Sequence, residues 1–426
     1  MRLGRLFLAV LILGGASAAA FTALSWHRSD APVSPPAAGS IPPALATEGA
    51  RLVALGNCAD CHTAPGGRPY AGGVAIQTPY GHLFSTNITP DTTTGIGAWS
   101  LAAFTRAMRT GISRDGHHLY PAFPYPHYAA LSEHEIAAIY AYLMTRKPIS
   151  AAARDDDLAF PFNIRALVAV WNLLYWPATV PPPEDAGGHI AEGIAHCGAC
   201  HTPRNQIGAE RTESAYAGAD VDGWHAPALG AASPAPIPWT EAELALYLSG
   251  GVAPHHGVAA GPMQAVTANL AFADPADLHA IAAYIAGIGG PADPVRQARA
   301  TQTEAILSGT APPPPRSGGP GAEIYAGACA ICHQDGWHTL SLNLTPLALA
   351  TSLSEASPRN ALRVILEGRH PRESEAGPQM PGFANNLTAQ QMVDVLAYLR
   401  TSIAGRPAWT DLAETVASMR REQEPQ

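Results

Sequence analysis

The six cysteines of this chain occur as three pairs of equal spacing, and each pair is followed directly by a histidine. The spacing Cys-x-x-Cys-His is typical of haem c attachment, in which two thiols form thioethers with the porphyrin and the histidine binds iron. A zinc site would need four ligands closing around one ion, and a thioredoxin-like pair or a disulfide would not need three such histidines. The sequence therefore predicts three covalently bound haem c groups. The predicted attachment residues are Cys58, Cys61, Cys197, Cys200, Cys329 and Cys332, and the predicted proximal iron ligands are His62, His201 and His333.

Length and composition set the broad class of protein. With 426 residues, the chain exceeds the size at which one hydrophobic core usually stops growing. Charged residues make up only 14%, and there are 40 glycines and 40 prolines, which indicates compact modules joined by proline-stiffened connections. The net charge of -9 argues against binding to nucleic acid, because phosphate recognition needs a basic face.

The sequence around the three motifs is itself repeated, at an interval of about 135 residues. Each copy has a helical pattern leading into the motif, a loop-rich middle, a middle helix, a loop and a closing helix. The middle helices are expected to end at Gly111, Gly250 and Gly368. A covalently held haem would supply the apolar centre that such small modules need. We therefore expect an all-α fold of three tandem haem domains with little or no sheet and an N-terminal apolar helix.

Proline-rich stretches set the expected boundaries of these domains. The predicted segments are 1–28 (signal peptide or membrane anchor), 42–150 (first haem domain), 151–184 (linker with an interfacial helix), 185–290 (second haem domain), 291–318 (proline-rich linker), 319–405 (third haem domain) and 406–426 (tail).

Candidate distal iron ligands lie between the middle and closing helices of the second and third copies. Met263 in VAAGPMQAV follows Cys197 by 66 residues, and Met380 in GPQMPGF follows Cys329 by 51 residues. A loop bounded by glycine and proline can present a thioether to iron, and methionine as distal ligand raises the potential of a haem. The alternative role for each is that of a core methionine.

The first copy breaks this pattern, because Phe123 stands 65 residues after Cys58 and a phenyl ring cannot bind iron. Met108 and Met144 are poor candidates, since both fall within predicted helices. His127 lies four residues after Phe123 in HLYPAFPYPHY, and we take it as the sixth ligand. The alternatives are an open or water-ligated iron and ligation by one of the nearby histidines at 117 and 118.

The N-terminus carries an export signal. Arg2 and Arg5 precede an uncharged stretch from Leu6 to Trp26, which is long enough for a spanning helix. The ASA sequence at positions 16–18 would also serve as a cleavage site. We expect an uncleaved anchor, with cleavage as the alternative.

Several stretches together resemble the tri-haem cytochrome c subunit of membrane-bound periplasmic dehydrogenases. They are GNCADCHTAPGG, STNITPDTTTGIGAWS, GHHLYPAFPYPHY, HCGACHTPRN and AAGPM. The resemblance covers nearly the whole chain from about residue 45 to 405 and implies class I-like cytochrome c domains. The alcohol and gluconate dehydrogenase versions have PAMPY where this chain has PAFPY, which puts their first-haem methionine in doubt here. The PAFPY sequence and the linker FPFNIRALVAVWNLLYW look more like the cytochromes that accompany molybdenum hydroxylases.

The resemblance implies a non-catalytic electron-transfer subunit on the periplasmic side of the bacterial inner membrane. It would relay electrons from a catalytic subunit, with molybdopterin and a small iron–sulfur subunit favoured, to ubiquinone or a terminal oxidase. A quinoprotein alcohol dehydrogenase or a flavin gluconate dehydrogenase is the alternative partner. A stand-alone carrier, a di-haem peroxidase-like enzyme and a haem sensor are rival classes. The linker helix over 160–176 would lie in the membrane interface or pack on protein, since Arg165 interrupts a run too short to span a bilayer.

Overall fold

The computed structural model describes residues 21, 25, 27–37, 39–176, 185–290, 293–337, 345–371 and 379–422. These residues group into two compact units, which fall within Met1–His196 and Cys197–Gln426. About 48% of the structure is helical.

The first unit contains a set of mostly short helices. They are α1 (Pro43–Leu55), α2 (Cys58–His62), α3 (Leu101–Thr110), α4 (Tyr125–Tyr128), α5 (Glu133–Met144), α6 (Val168–Tyr175) and α7 (Ala186–His189), with a 3₁₀ turn at Arg165–Leu167 and a π-helical turn at Ile190–Ile194. Helices α1 and α5 pack against each other, and their facing side chains form the core. Ser132 begins α5 with a capping box, because its hydroxyl accepts from the backbone of Glu135 while the Glu135 carboxylate accepts from the backbone of Ser132.

The second unit repeats the same kind of packing. Its helices are α8 (Gly198–His201), α9 (Glu241–Gly250), α10 (Pro262–Leu270), α11 (Pro275–Gly287), α12 (Pro294–Leu307), α13 (Pro320–Ile324), α14 (Ala330–His333), α15 (Thr351–Ser354), α16 (Arg359–Glu367), α17 (Ala389–Tyr398) and α18 (Leu412–Glu422), with 3₁₀ turns at Thr212–Ser214, Gly230–Ala232 and Leu347–Leu349 and π-helical turns at Tyr325–Cys329 and Leu399–Ile403. Helix α9 packs on α11, and α13 packs on α17. Leu362, Met392 and Leu396 are fully buried in the core around α17.

In the described part of the chain, three small antiparallel sheets correct the all-α prediction. The strands are β1 (Ala75–Thr78), β2 (Gly81–Phe84), β3 (Asp157–Leu158), β4 (Ala219–Val221), β5 (Trp224–Ala226), β6 (Val252–Ala253) and β7 (Gly257–Val258). Strand β2 pairs with both β1 and β3, and β4–β5 and β6–β7 form two hairpins. The β1–β2 turn is closed by the Thr78 hydroxyl, which donates to the carbonyl of Gly81 at 2.8 Å. The loop-rich middles of the repeats are therefore partly ordered as hairpins.

The expectation of three separate haem domains is also wrong, because the chain divides into two units rather than three. The turn Ile190–Ile194 belongs to the first unit, since Ile194 packs beside Gly56, before the first motif. Within the second unit, the regions carrying the second and third motifs are joined by a reciprocal pair of hydrogen bonds. The Asn360 side chain accepts from the backbone of His225 at 2.9 Å and donates to its carbonyl at 2.7 Å.

The N-terminal apolar helix of the expected fold has no support. The predicted signal or anchor over residues 1–28 lies largely outside the described residues. Among the residues that the structure describes, no helix is both long and apolar enough to cross a membrane. The finer segment boundaries at residues 150, 290 and 318 stay predictions.

Candidate haem-binding sites

Each Cys-x-x-Cys-His motif forms one short helical turn, which places the two thiols and the imidazole close together. In the first motif, helix α1 ends at Leu55 and the chain turns through Asn57, which has a left-handed φ of 50°. Asparagine tolerates this conformation better than most residues. Helix α2 then carries Cys58, Cys61 and His62. The helical spacing puts both sulfur atoms on one side of the turn.

The histidines of the first two motifs are each held by a backbone carbonyl. His62 Nδ1 donates to the carbonyl of Thr86 at 2.6 Å, and His201 Nδ1 donates to the carbonyl of Pro227 at 2.7 Å. Because a neutral imidazole has one protonated nitrogen, this bond leaves the lone pair on Nε2. A hydrogen bond of this kind orients a metal-binding histidine and fixes its tautomer.

The histidine of the third motif differs in its hydrogen bonding. Among the described residues, His333 Nδ1 is buried and has no hydrogen-bond partner. The position that matches Thr86 precedes the NLTP sequence at 343–346 and lies outside the described residues. Burial lowers the pKa of His62, His201 and His333, so all three are held in the neutral form that binds iron.

The six cysteines are free thiols in the structure. Burial, and then the charge of the neighbouring Cys61, raise the pKa of Cys58 to about 12. Burial raises the pKa of Cys200, and it raises that of Cys329 to about 11, with Cys332 adding to the effect. Their raised pKa values keep these cysteines neutral, unlike the low-pKa thiolates of redox enzymes.

The third motif opens into a cleft of about 620 Å³, a volume that includes space open to solvent. Cys329, His333 and Met380 all line this cleft. The remaining wall is mostly apolar, with side chains from α15, α16 and α17, among them Leu353, Ile365 and others. The cleft therefore joins two predicted haem ligands and one attachment cysteine in an apolar setting that suits a large flat cofactor.

Two polar side chains close to this cleft have buried atoms without hydrogen bonds to the described residues. Among the described residues, Trp337 Nε1 and Thr351 Oγ1 are buried and make no hydrogen bond. Two such donors suit the propionate carboxylates of a haem, because buried polar groups normally have partners. The residues present at the third motif thus fit haem c.

Both predicted methionine ligands lie in more regular structure than the expected loops. Met263 is the second residue of α10, which begins with Pro262 after Gly261, whose φ is +56°. Proline suits this first helical position, because its missing N–H has no intrahelical partner there. Met380 is held by two backbone hydrogen bonds with Arg369, at 2.8 and 3.0 Å. Met380 lies with His333 in one cleft, whereas the described contacts do not place Met263 beside His201.

In the first motif region, Phe123, at the spacing where a methionine was expected, packs among aromatic rings. Its ring lies 5.4 Å from that of Tyr128 in an edge-on arrangement and 6.4 Å from that of Tyr125. Tyr128 is buried beside the motif, where burial, followed by the charges of Cys58 and Cys61, raises its pKa.

The three candidate histidines of this region have different surroundings. His117 is exposed and pairs with Asp115, whereas His118 is buried and packs edge-on against His27 at 5.0 Å. His127 lies in α4, and its Nδ1 donates to the carbonyl of Glu192 at 2.8 Å. His127 therefore has the same kind of Nδ1 bond as His62.

Sequence reasoning missed the groups that support these sites. The carbonyls of Thr86 and Pro227 were not foreseen, although Thr86 directly precedes the NITP turn that the repeats share. Tyr128 was also missed, because a tyrosine in the PAFPYPHY stretch gives no signal of its own beside the candidate iron ligands. Its buried position next to two thiols could not be read from spacing.

Comparisons with known proteins agree with this geometry. The family model described as Cytochrome c matches residues 46–147 and 319–402. The cytochrome c subunit of alcohol dehydrogenase (quinone) from Gluconacetobacter polyoxogenes is 34% identical over 397 residues, which cover 88% of this chain and 84% of that protein. The cytochrome c subunit of gluconate 2-dehydrogenase from Pantoea cypripedii is 33% identical over 402 residues, covering 89% and 90%.

A further relative is larger than this chain. A nicotinate dehydrogenase subunit from Pseudomonas putida is 42% identical over 419 residues, which make up 96% of this chain and 34% of that protein. This chain thus spans about a third of the length of that relative.

Proposed function

The chain belongs to the family of cytochrome c subunits of dehydrogenases, and on that premise we propose that it relays single electrons from a catalytic dehydrogenase subunit to ubiquinone or a terminal oxidase. The cleft that brings Cys329, His333 and Met380 together carries this proposal. When bound, haem c supplies a reversible one-electron iron couple. The protein provides attachment, orientation and axial ligands.

Three haems are proposed, one for each motif. The support is the recurrence of one local geometry, since His62 and His201 each donate Nδ1 to a backbone carbonyl and keep Nε2 for iron. In each motif the short helical turn also keeps the two cysteines three residues apart. The pairs can therefore add to the porphyrin while the imidazole is held in place.

The proposed sixth ligands are Met380 for the third haem, Met263 for the second and His127 for the first. Met380 is supported by the cleft that it shares with His333. For His127, the Nδ1 bond to the Glu192 carbonyl leaves the lone pair on Nε2, as iron ligation requires. A bis-histidine first haem would have a lower potential than the two His/Met haems.

For the partner, we propose a dehydrogenase with molybdopterin, together with a small iron–sulfur subunit. The support is the higher identity to the nicotinate dehydrogenase chain, 42%, than to the alcohol and gluconate dehydrogenase subunits, 34% and 33%. Phe123 in place of methionine agrees with this choice. A quinoprotein or flavin dehydrogenase is the alternative.

The test is purification of the native complex through a tag on this chain, followed by cofactor analysis. We expect three haems per chain by the alkaline pyridine spectrum, together with molybdenum and non-haem iron. If the complex contains a quinoprotein cofactor or a flavin instead of molybdenum, the choice of partner is wrong. Isolation of this chain without any dehydrogenase subunit would contradict the relay and favour a stand-alone carrier.

We also propose that the exposed apolar side of residues 160–175 lies in a membrane interface. Phe160 is 79% exposed, and Leu173 and Leu174 are 68% and 63% exposed. Arg165, the charge within this stretch, is paired with Asp156 at 2.6 Å. An exposed apolar surface that also carries Trp171 and Tyr175 suits the boundary between lipid and water.

Binding to phospholipid vesicles tests this surface. A double change of Leu173 and Leu174 to Glu is expected to reduce co-sedimentation strongly, since charges disfavour burial in lipid. The control is Leu246→Glu. Leu246 is likewise an exposed leucine, at 53%, but it lies in α9 rather than in residues 160–175. Equal binding by the two variants would place the membrane contact elsewhere.

A further inference from the structure

A cluster of arginines surrounds a cavity in the second unit, away from the cleft of the third motif. The cavity has about 480 Å³, including space open to solvent, and is lined by Arg296, Arg299, Arg406, Ser354 and the loop 232–236. Arg296 and Arg299 lie three positions apart on α12, so they share one face of that helix. Three guanidinium groups therefore converge on one space.

Among the described residues, no acidic side chain lines this cavity. The carboxylate whose charge acts on Arg296 is that of Asp293, which is used as the N-cap of α12 and accepts from the backbone of Val295 and Arg296. Within the described part of the chain, no carboxylate forms an ion pair with Arg299 or Arg406. Asp293 offsets part of the charge of Arg296, and the remaining positive charge of the cluster has no carboxylate paired with it in the described part of the chain.

The environment makes this concentration of charge costly. Arg406 is partly buried, and burial, followed by the charges of Arg299 and other arginines, lowers its pKa to about 10. Burial also lowers the pKa of Arg296; the charge of Asp293 works against this effect, and the charge of Arg299 adds to it. Like charges close together in a partly buried site repel one another, and an anion bound between them would remove that repulsion.

A neutral donor completes the cavity wall. Ser354 Oγ is buried and makes no hydrogen bond to any described residue. Buried hydroxyls normally have partners, so this group points to a ligand. The loop 232–236 contributes Pro234 and Pro236, which have no N–H, and the Ser233 carbonyl already accepts from Arg296. The donors for a ligand thus come from the arginines and Ser354.

We propose that this cavity binds a small free oxyanion of the phosphate class. Guanidinium groups match the oxygens of phosphate in a forked geometry, and a hydroxyl donor adds a further bond. A doubly charged anion with several oxygens uses three arginines better than a chloride ion or a single carboxylate. Bound there, the anion would link α12 to the end of α15 and to the segment around Arg406.

The test uses the purified full chain with its haems, freed of phosphate. Inorganic phosphate is titrated by calorimetry and by thermal unfolding, with sodium chloride holding the ionic strength constant. We expect saturable binding and a melting temperature that rises with phosphate. Arg299→Gln and Arg406→Gln are each expected to weaken binding by about tenfold or more, and Ser354→Ala by less.

Arg421→Gln is the matched control, because Arg421 is exposed on α18 and does not line the cavity. Its phosphate affinity is expected to equal that of the unchanged protein. In the absence of phosphate, Arg406→Gln is expected to melt no lower than the unchanged protein, since it relieves repulsion. If Arg406→Gln does not fold, Arg299→Gln answers the same question.

Three results would overturn the proposal. The first is no saturable phosphate binding, and the second is an equal loss of affinity in Arg299→Gln and Arg421→Gln. The third is malonate or chloride binding as tightly as phosphate, which would remove the phosphate class. None of these results depends on electron transfer, so the proposed relay stands or fails separately.

Discussion

Two glycines allow the helices that frame the first and third motifs to cross closely, and replacing either with alanine is expected to destabilise the protein. A Cβ at Gly49 in α1 would lie 1.9 Å from the carbonyl oxygen of Ala138 in α5. A Cβ at Gly321 in α13 would lie 2.2 Å from the carbonyl oxygen of Asp394 in α17. Ordinary contact begins at about 3.4 Å, so the helices would have to separate by about 1 Å or more.

The expected magnitude follows from two opposing effects. Overpacking of a close contact typically costs about 1–3 kcal/mol, and occasionally more. Alanine is the better helix former by about 1 kcal/mol, which offsets part of this. For Gly49→Ala we take the upper end of the overpacking range, because the obstacle is backbone rather than a flexible side chain. The expected net loss of stability is then about 2 kcal/mol. In a unit of this size, that loss lowers the melting temperature by roughly 4–8 °C.

The assay is urea and thermal unfolding, followed by helical circular dichroism and by the haem absorption band. Gly287→Ala is the control, since Gly287 also lies in a helix but a Cβ there would meet nothing within 4 Å. The control is expected to be neutral or slightly stabilising. If Gly49→Ala and Gly321→Ala unfold at the same urea concentration and temperature as Gly287→Ala, the stability of the protein does not depend on these close helix crossings.

Four other substitutions test the ligands and one buried acid. Met263→Ala and Met380→Ala are each expected to keep three covalent haems and to turn one low-spin haem high-spin in the paramagnetic resonance spectrum; an unchanged spectrum would exclude that methionine. His127→Ala is expected to do the same to the first haem, whereas His117→Ala, which alters an exposed side chain, is not. Burial raises the pKa of Glu355 to about 7, so the folded protein keeps a proton that the unfolded chain releases above pH 4.5. Stability should therefore fall as the pH rises from about 4.5 to about 7, by up to about 3 kcal/mol, and Glu355→Gln should flatten that slope; equal slopes would exclude the effect.

The parts of the fold that depend on local sequence were the most predictable. Gly111 and Gly368 end their helices with positive φ, as their position after an apolar pattern predicted. The middle helix of the second copy ends one residue later than expected. Gly250 is still helical, and Gly251 takes the left-handed conformation. Local chemistry selects such ends, since glycine has no Cβ to clash there.

The parts that depend on distant packing were not predictable. The proline-rich stretch before residue 185 suggested a domain boundary, which stays a prediction, whereas the contacts of the chain divide between His196 and Cys197, with Ile194 packed beside Gly56 of the first unit. The β1–β2 hairpin was missed although Pro79 lies between two short strands and favours a turn. A loop-rich appearance therefore concealed strands whose pairing is set by partners elsewhere, as β3 shows.

The surroundings of His127 bear on the choice of ligand at the first haem. Its Nδ1 donates to the carbonyl of Glu192, a residue of the turn that leads towards Cys197. A hydrogen-bonded imidazole is a more basic ligand, so the same bond that anchors this turn would also lower the potential of the iron. Loss of His127 should then have two separable effects, a high-spin first haem and a loosened turn at Ile190–Ile194. His127→Asn separates them, because an amide can still donate to Glu192 but does not replace imidazole on iron. If the first haem of His127→Asn stays low-spin, His127 serves only to hold the turn.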